Sequence, residues 1–160
     1  MQLGRLHILA GACAATGHEM LLEVVPPAGS PVEPGSAARA MDLIYRAGVR
    51  PDWWKLPPDP RPDSWRAVGE AIERHDPHCR GVLVLGMESS AEKLREGFAA
   101  AVTEPRVRGF AVGRSIFGHA ATEWFAGRWR GERAVDDIAA RYEEVIASWN
   151  SATQTQPETA

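Results

Sequence analysis

The sequence predicts an α/β protein with a parallel sheet, built from repeated strand–helix units, and three observations lead to this class. Short apolar runs that end in proline or glycine alternate with helical patterns along the chain. The run GVLVLGM (81–87) is apolar at successive positions, which indicates a strand covered on both faces, as in parallel sheets. The spacing of the runs is regular, with 32, 31 and 27 residues separating Glu23, Lys55, Gly86 and Gly113.

That spacing suggests a particular architecture. An eight-unit (β/α) barrel of about 250 residues has roughly 31 residues in each unit. The chain has 160 residues and four such units, so it corresponds to half of a TIM barrel, with a helix before the first strand. A doubly wound open sheet has similar units and stays open as an alternative. We expect residues 1–150 to form the half barrel and residues 151–160 to form a disordered tail.

The elements follow in chain order from the apolar periodicity and from residues that start or stop helices. Pro26 and Pro27 end one apolar run and Pro57 and Pro58 end another, while Ser36 and Asp63 stand where helices begin. The predicted helices are 3–16, 36–49, 63–76, 89–102, 118–126 and 132–149, and the predicted strands are 20–27, 52–58, 81–87 and 108–117, the last ending near Gly113.

Composition excludes several classes of function. A formal net charge of −3 and a pI near 6.0 argue against a nucleic-acid-binding protein. No apolar stretch is long enough to cross a bilayer, so we expect no membrane association. Cys13 and Cys79 show no metal-ligand spacing, which fits a cytoplasmic protein without a metal site. The chain lacks a GxGxxG fingerprint and a P-loop, and we expect no cofactor.

Two charged residues occupy apolar strands that end in proline, one unit apart. Lys55 lies in PDWWKLPP and Glu23 lies in MLLEVVPP. Neighbouring strands run about 4.8 Å apart, so the two side chains can meet inside the sheet. A desolvated amine loses its proton more readily and can attack a carbonyl to form a Schiff base, with the carboxylate as proton carrier. A structural ion pair, or a lysine that reaches solvent from the strand end, is the alternative.

Two glycine-containing turns follow the third and fourth strands. Gly86, Met87 and Glu88 form the first turn, and Gly113 and Arg114 form the second. Glycine lets a ligand approach the backbone, and a helix after Gly113 would direct free N–H groups at an anion. In barrels a phosphate commonly binds between the last two loops. We therefore predict phosphate binding at Gly86, Met87, Gly113 and Arg114, with plain turns as the alternative.

These motifs resemble a known family. MLLEVVPP, PDWWKLPP, DPHCRGVLVLGM and RGFAVGRSIFGHAATEWFAGRW, in this order, are similar to the domain fused C-terminally to bacterial 5-dehydro-2-deoxygluconokinase of inositol catabolism. That domain is assigned as a 5-dehydro-2-deoxyphosphogluconate aldolase and resembles class I aldolases of the tagatose-bisphosphate type. The resemblance covers most of residues 3–149.

The resemblance implies a TIM barrel and a Schiff-base lyase. On this analogy Lys55 forms the imine, Glu23 is the acid/base, and the two turns hold the substrate phosphate. The implied reaction cleaves a phosphorylated keto sugar acid to dihydroxyacetone phosphate and malonate semialdehyde. A non-catalytic phosphosugar-binding or regulatory half barrel, or a purely structural half, are the alternatives.

The chain matches only the second half of that family domain. Four parallel strands leave two open edges and an uncovered inner face. Three explanations stay open: the chain is a fragment, it pairs with a complementary half-barrel partner, or it forms a homodimer in which two halves close one barrel. We expect a homodimer or such a partner.

Overall fold

The computed structural model describes residues 2–27, 30, 32–87 and 89–155, in which helices and strands alternate. The elements are α1 (Gln2–Thr16), β1 (Leu21–Glu23), α2 (Ser36–Arg46), β2 (Trp53–Leu56), α3 (Pro62–His75), β3 (Gly81–Leu85), α4 (Ala91–Ala101), β4 (Val107–Ala111), α5 (Arg114–Phe125) and α6 (Gly131–Gln154). The strands are shorter than predicted because the prolines and glycines that end each apolar run lie outside the hydrogen-bonded ladders.

The four strands form one parallel sheet in the order β1-β2-β3-β4. Strands consecutive in the chain are therefore neighbours in space, as they are around a (β/α) barrel. One face of the sheet carries the strand residues that belong to the buried hydrophobic cluster. They are Trp54, Leu56, Val82, Val84 and Val107. The predicted α/β class with half a TIM barrel is confirmed.

The core is built on that helix-covered face. Trp54 is fully buried, and its indole Nε1 donates a hydrogen bond to the Tyr45 hydroxyl at 2.7 Å. Trp65 is also buried, and its Nε1 donates to the Asp59 carbonyl at 2.8 Å. Each large aromatic therefore buries its apolar area without leaving its N–H unpaired. The opposite face, which would line a barrel, carries Glu23 and Lys55.

The prediction of a buried first strand over 20–27 is wrong. β1 covers only Leu21–Glu23, and its burial alternates from exposed to half-buried to exposed. Leu21 retains 47% of its accessible surface. The reason is that β1 is an edge strand, paired with β2 on one side only in the described part of the chain.

The C-terminal helix differs from the prediction in length and in burial. α6 continues to Gln154, so residues 151–154 of the expected disordered tail are helical, and residues 156–160 lie outside the described residues. Val145 and Trp149 pack against the core cluster, whereas Val135, Tyr142 and Ile146 are exposed. The predicted apolar stripe on α6 therefore contacts the core only at its C-terminal part. No helix in the described ranges is long and apolar enough to cross a membrane.

The loop after β2 is fastened to the loop after β1 by what we call the Asp59–Arg61 clamp. Buried Asp59 accepts hydrogen bonds from Arg61 Nε at 2.6 Å and Nη2 at 2.9 Å. Arg61 Nη2 also donates to the Val32 carbonyl at 2.8 Å, and the Gly35 N–H donates to Ser64 Oγ at 3.2 Å. Burial alone raises the pKa of Asp59, but hydrogen bonds from Arg61 and Ser64 outweigh it and hold that pKa below its usual value.

Helix α4 approaches the turn after β2 so closely that only glycine fits at position 97. A Cβ on Gly97 would lie 2.6 Å from the Pro58 Cβ and 3.3 Å from its Cα. Because the proline ring is rigid, we expect Gly97→Ala to lower the free energy of unfolding by about 1–3 kcal/mol. At Gly118, inside α5, the nearest atom to an added Cβ is 4.0 Å away. Gly118→Ala should therefore raise stability by up to about 1 kcal/mol. Urea unfolding of both variants tests the packing, and a neutral Gly97→Ala would contradict it.

The contribution of the Asp59–Arg61 clamp to the free energy of unfolding should depend on pH. Asp59→Asn should lower the free energy of unfolding by about 1–3 kcal/mol at neutral pH, because Arg61 loses its charged acceptor. The pKa of Asp59 is lower in the folded than in the unfolded chain. Its contribution is therefore full above about pH 4 and is lost as the pH falls through the folded pKa.

Urea unfolding across this pH range measures the effect, and the difference between wild type and variant should shrink in acid. Asp63→Asn is the control, because the Asp63 side chain is 88% exposed and its pair with Arg66 contributes less than about 1 kcal/mol. An equal loss in both variants would show that the clamp does not stabilise the loops.

Candidate functional site

The six residues singled out in the sequence line one cleft at the carboxyl ends of the strands. The cleft has a volume of about 650 Å³ and is lined by Glu23, Val25, Lys55, Leu85, Gly86, Met87, Ala111, Gly113, Arg114, Ser115 and Phe117. Glu88, which belongs to the first predicted turn, lies outside the described residues. Parallel strands end at one edge of the sheet, which explains why residues 91 positions apart in the chain come together (Glu23 and Arg114). The roles assigned to these residues stay predictions.

Glu23 and Lys55 form an ion pair across the first strand pair. They are direct partners in the β1–β2 ladder, and Glu23 Oε2 lies 2.8 Å from Lys55 Nζ. Side chains at paired positions of neighbouring strands point to the same face, so the register alone brings them together. The Lys55 side chain is 20% exposed and that of Glu23 is 39% exposed. The lysine side chain as a whole is thus largely shielded, while the glutamate side chain is partly open to solvent.

The row of paired residues that begins with Glu23 and Lys55 continues across β3 and β4. Lys55 is paired with Leu83 on β3, and Leu83 is paired with Gly109 on β4. An added Cβ on Gly109 would meet only the Leu83 Cδ2, at 3.9 Å. The row therefore contains a carboxylate, an amine, an apolar side chain and an open position. The open position at Gly109 lies two strands from Lys55, with Leu83 between them.

The two glycine turns meet at the far side of the cleft. A Cβ on Gly86 would lie 2.8 Å from Val112 Cγ1, so only glycine permits this approach between the chain segments after β3 and β4. Met87 has φ of 51°, and it is the one non-glycine residue with positive φ in the described ranges. A bulky residue in this conformation is strained, and such strain often occurs at functional sites. Gly113 directly precedes α5, and its carbonyl accepts the first helical hydrogen bonds.

Ser115 is a cleft residue that the sequence analysis did not single out. Its Oγ is buried, and the structure gives it no hydrogen-bond partner among the described residues. It occupies the second position of α5, next to Arg114. A serine near a helix N-terminus after a glycine turn is a weak signal, since most such serines only cap helices. The residue lines a cleft that also contains two cationic side chains, Lys55 and Arg114, while its hydroxyl oxygen is itself buried.

The charges of the cleft favour an anionic ligand. Lys55 and Arg114 are cationic and Glu23 is anionic, so the described lining carries one net positive charge. Val25 and Phe117 add apolar surface at the rim and are both partly exposed. Across the described ranges, no three His, Cys, Asp or Glu side chains come together as a metal ion would require.

Comparisons with known proteins identify the family but name no activity. A search of curated proteins gave no match. The family model DUF2090, described as an uncharacterized protein conserved in bacteria, matches residues 1–153. The match extends from α1 through most of α6 and includes the whole cleft. The chain therefore belongs to the DUF2090 family.

Proposed function

We propose that this chain is a Schiff-base aldolase, or the catalytic half of one, acting on a phosphorylated keto sugar acid. The single observation that carries the proposal is the 2.8 Å contact between Lys55 Nζ and Glu23 Oε2 in a cleft that also contains the two glycine turns. An amine beside a carboxylate supplies both the nucleophile and the proton carrier of imine chemistry. The resemblance of the four strand-end motifs to an aldolase domain supports the same chemistry.

Lys55 is the proposed nucleophile. Its neutral amine adds to the substrate ketone, and loss of water from the carbinolamine gives an imine. The protonated imine then accepts the electron pair of the carbon–carbon bond that breaks between the α- and β-carbons. The product enamine is protonated and the imine is hydrolysed, which releases the ketone product and restores the amine.

Glu23 is the proposed proton carrier. As a carboxylate it accepts the proton of the β-hydroxyl group while the adjacent carbon–carbon bond breaks, and an aldehyde is released. The proton can then return to the enamine carbon. The partial exposure of Glu23 is compatible with this role, because the carboxylate can reach a ligand in the cleft as well as Lys55.

The glycine turns are the proposed phosphate site. Gly86, Met87, Gly113 and Arg114 lie across the cleft from Glu23 and β1, and the N-terminus of α5 places positive dipole charge there. The proposed substrate is 5-dehydro-2-deoxyphosphogluconate, cleaved to dihydroxyacetone phosphate and malonate semialdehyde in inositol catabolism, as the family resemblance implies. No bound cofactor takes part.

The open inner face is part of the proposal. Water that enters freely would hydrolyse the imine and weaken the electrostatics of the cleft. We therefore include a cover for this face, supplied by a second copy or by a complementary half barrel. A cytoplasmic location is also proposed, because Cys13 and Cys79 are both free thiols.

One observation favours a second candidate function. An ion pair with a carboxylate 39% exposed is also what a structural strand-end contact looks like, and such pairs contribute at most about 1 kcal/mol. In that case the glycine turns would bind a phosphosugar and the chain would be a regulatory half barrel. The two functions differ in whether Lys55 forms a covalent bond.

Reductive trapping of the imine distinguishes the two functions. The adduct is easy to assign because the chain has few lysines. Lys55 and Lys93 are its two lysines, and Lys93 is exposed on α4. Incubation with dihydroxyacetone phosphate and borohydride should give a reduced adduct that peptide mass spectrometry maps to Lys55. Lys55→Met should abolish the adduct, and Lys93→Met should retain it.

Circular dichroism should show that Lys55→Met remains folded, because an ion pair whose carboxylate partner is partly open to solvent contributes little stability. No adduct, or an adduct on Lys93 or the N-terminal amine, together with retained phosphate binding, would support the regulatory half barrel instead.

Replacing the carboxylate tests the proton carrier separately. Glu23→Gln should lower the rate of carbon–carbon cleavage by at least about 100-fold, because the amide cannot accept the hydroxyl proton. Adduct formation at Lys55 should persist. A coupled assay for dihydroxyacetone phosphate measures the rate, and Glu96→Gln, on the exposed side of α4, is the control. Unchanged cleavage in Glu23→Gln would remove this residue from the mechanism.

A further inference from the structure

Helix α1 has a composition that does not suit a surface helix. It has 15 residues, none of them buried, and Arg5 is its one acidic or basic side chain apart from His7. Four residues at helical spacing, Arg5, Ile8, Leu9 and Ala12, form an exposed face that we call the α1 face. Ile8 retains 76% of its accessible surface. Exposed apolar side chains gathered on one helix face mark a surface for contact with another apolar surface.

Helix α6 presents a matching surface at the other end of the chain. Val135, Ala139, Tyr142 and Ile146 lie on one side of the helix and are all exposed, and we call them the α6 face. Val145 and Trp149 belong to the same apolar stripe, nearer its C-terminal end, and pack against the core. Trp149 contacts Phe110 on β4 at a ring distance of 5.8 Å, which places this part of α6 over the last strand.

The topology predicts how these two faces relate. In right-handed parallel units a helix covers the strand that follows it and the strand that precedes it. α1 precedes β1, and the described sheet has no strand on that side of β1. β4, covered by α6, is the other open edge. Four strands make half of an eight-stranded barrel, so a two-fold axis along the barrel places β4 of one copy beside β1 of the other. α1 then lies beside α6 of the second copy.

The charges of the two helices are complementary. α1 contains no Asp or Glu and carries one charged side chain, that of Arg5. α6 contains five acidic and two basic residues, and its acids Glu132, Asp136, Glu143 and Glu144 are exposed. Opposite charges at the border of an apolar contact favour this pairing over contact of α6 with itself.

We infer that this chain binds a second copy of itself, with the α1 face of each copy packed on the α6 face of the other. The inference specifies the partner that the proposed function requires and rests on it in that respect. The dimer has two such contacts, which we call seams, and at each seam β4 of one copy lies beside β1 of the other. The inner face that carries Lys55 and Glu23 then becomes the interior of a complete barrel. The strands of the second copy then form the wall opposite each cleft.

Sedimentation equilibrium of the full chain tests the inference. The wild type should sediment at about twice 17.4 kDa. Ile8→Glu and Val135→Glu should each raise the dimer dissociation constant by at least about 10-fold, since each places a charge in a buried apolar contact. Leu43→Glu is the matched control, because Leu43 is equally exposed on α2 and lies in neither face. It should leave the dissociation constant unchanged.

Mixing the two variants tests which faces meet. A heterodimer of Ile8→Glu and Val135→Glu has one unmodified seam, so the mixture should contain more dimer than either variant alone. A monomeric wild type, a dimer that both variants leave intact, or a mixture without recovery would overturn the inference. Lys55→Met should dimerise normally. An intact wild-type dimer that traps no imine therefore counts against the lysine chemistry, and trapping by a monomeric wild type counts against the dimer.

Discussion

The parallel pairing of β1 with β2 is the contact on which the candidate site depends. It sets Glu23 opposite Lys55, and a shift of one residue would turn one of the two side chains to the helix-covered face. That face is filled by Trp54 and Leu56, which are fully buried. The register is thus enforced by the core on one side of the sheet, and the ion pair on the other side results from it.

Because the inner face is uncovered, solvent weakens the Glu23–Lys55 ion pair in the single chain. With its present exposure the Glu23–Lys55 pair adds little to stability, so its position is not explained by folding alone. Covering the face would remove water from around both charges and strengthen their interaction, as electrostatic contacts strengthen in a low dielectric. The apolar faces of α1 and α6 point to the same requirement from outside the sheet. Catalysis and assembly are therefore linked through one structural feature, the incomplete barrel.

Several features could not be read from periodicity. The apolar pattern of MLLEVVPP predicts a buried strand, but periodicity does not report whether a strand has one neighbour or two, and β1 has one. The apolar stripe on α6 is regular along the helix, but only its C-terminal part packs against the core. Ser115 could be recognised as a lining residue only from the fold, which brings the start of α5 to the cleft.

The apolar runs and their spacing were enough to predict the α/β class, the order of the units and the strand-end positions of Lys55, Glu23 and the two glycine turns. This was possible because apolar runs, prolines and glycines act locally on the backbone. The fold was needed to show that Glu23 and Lys55 make the contact expected of them, how exposed their side chains are, and which helix faces stay uncovered. These properties depend on contacts between residues far apart in the chain, such as the 32-residue separation of Glu23 and Lys55, which no local pattern encodes.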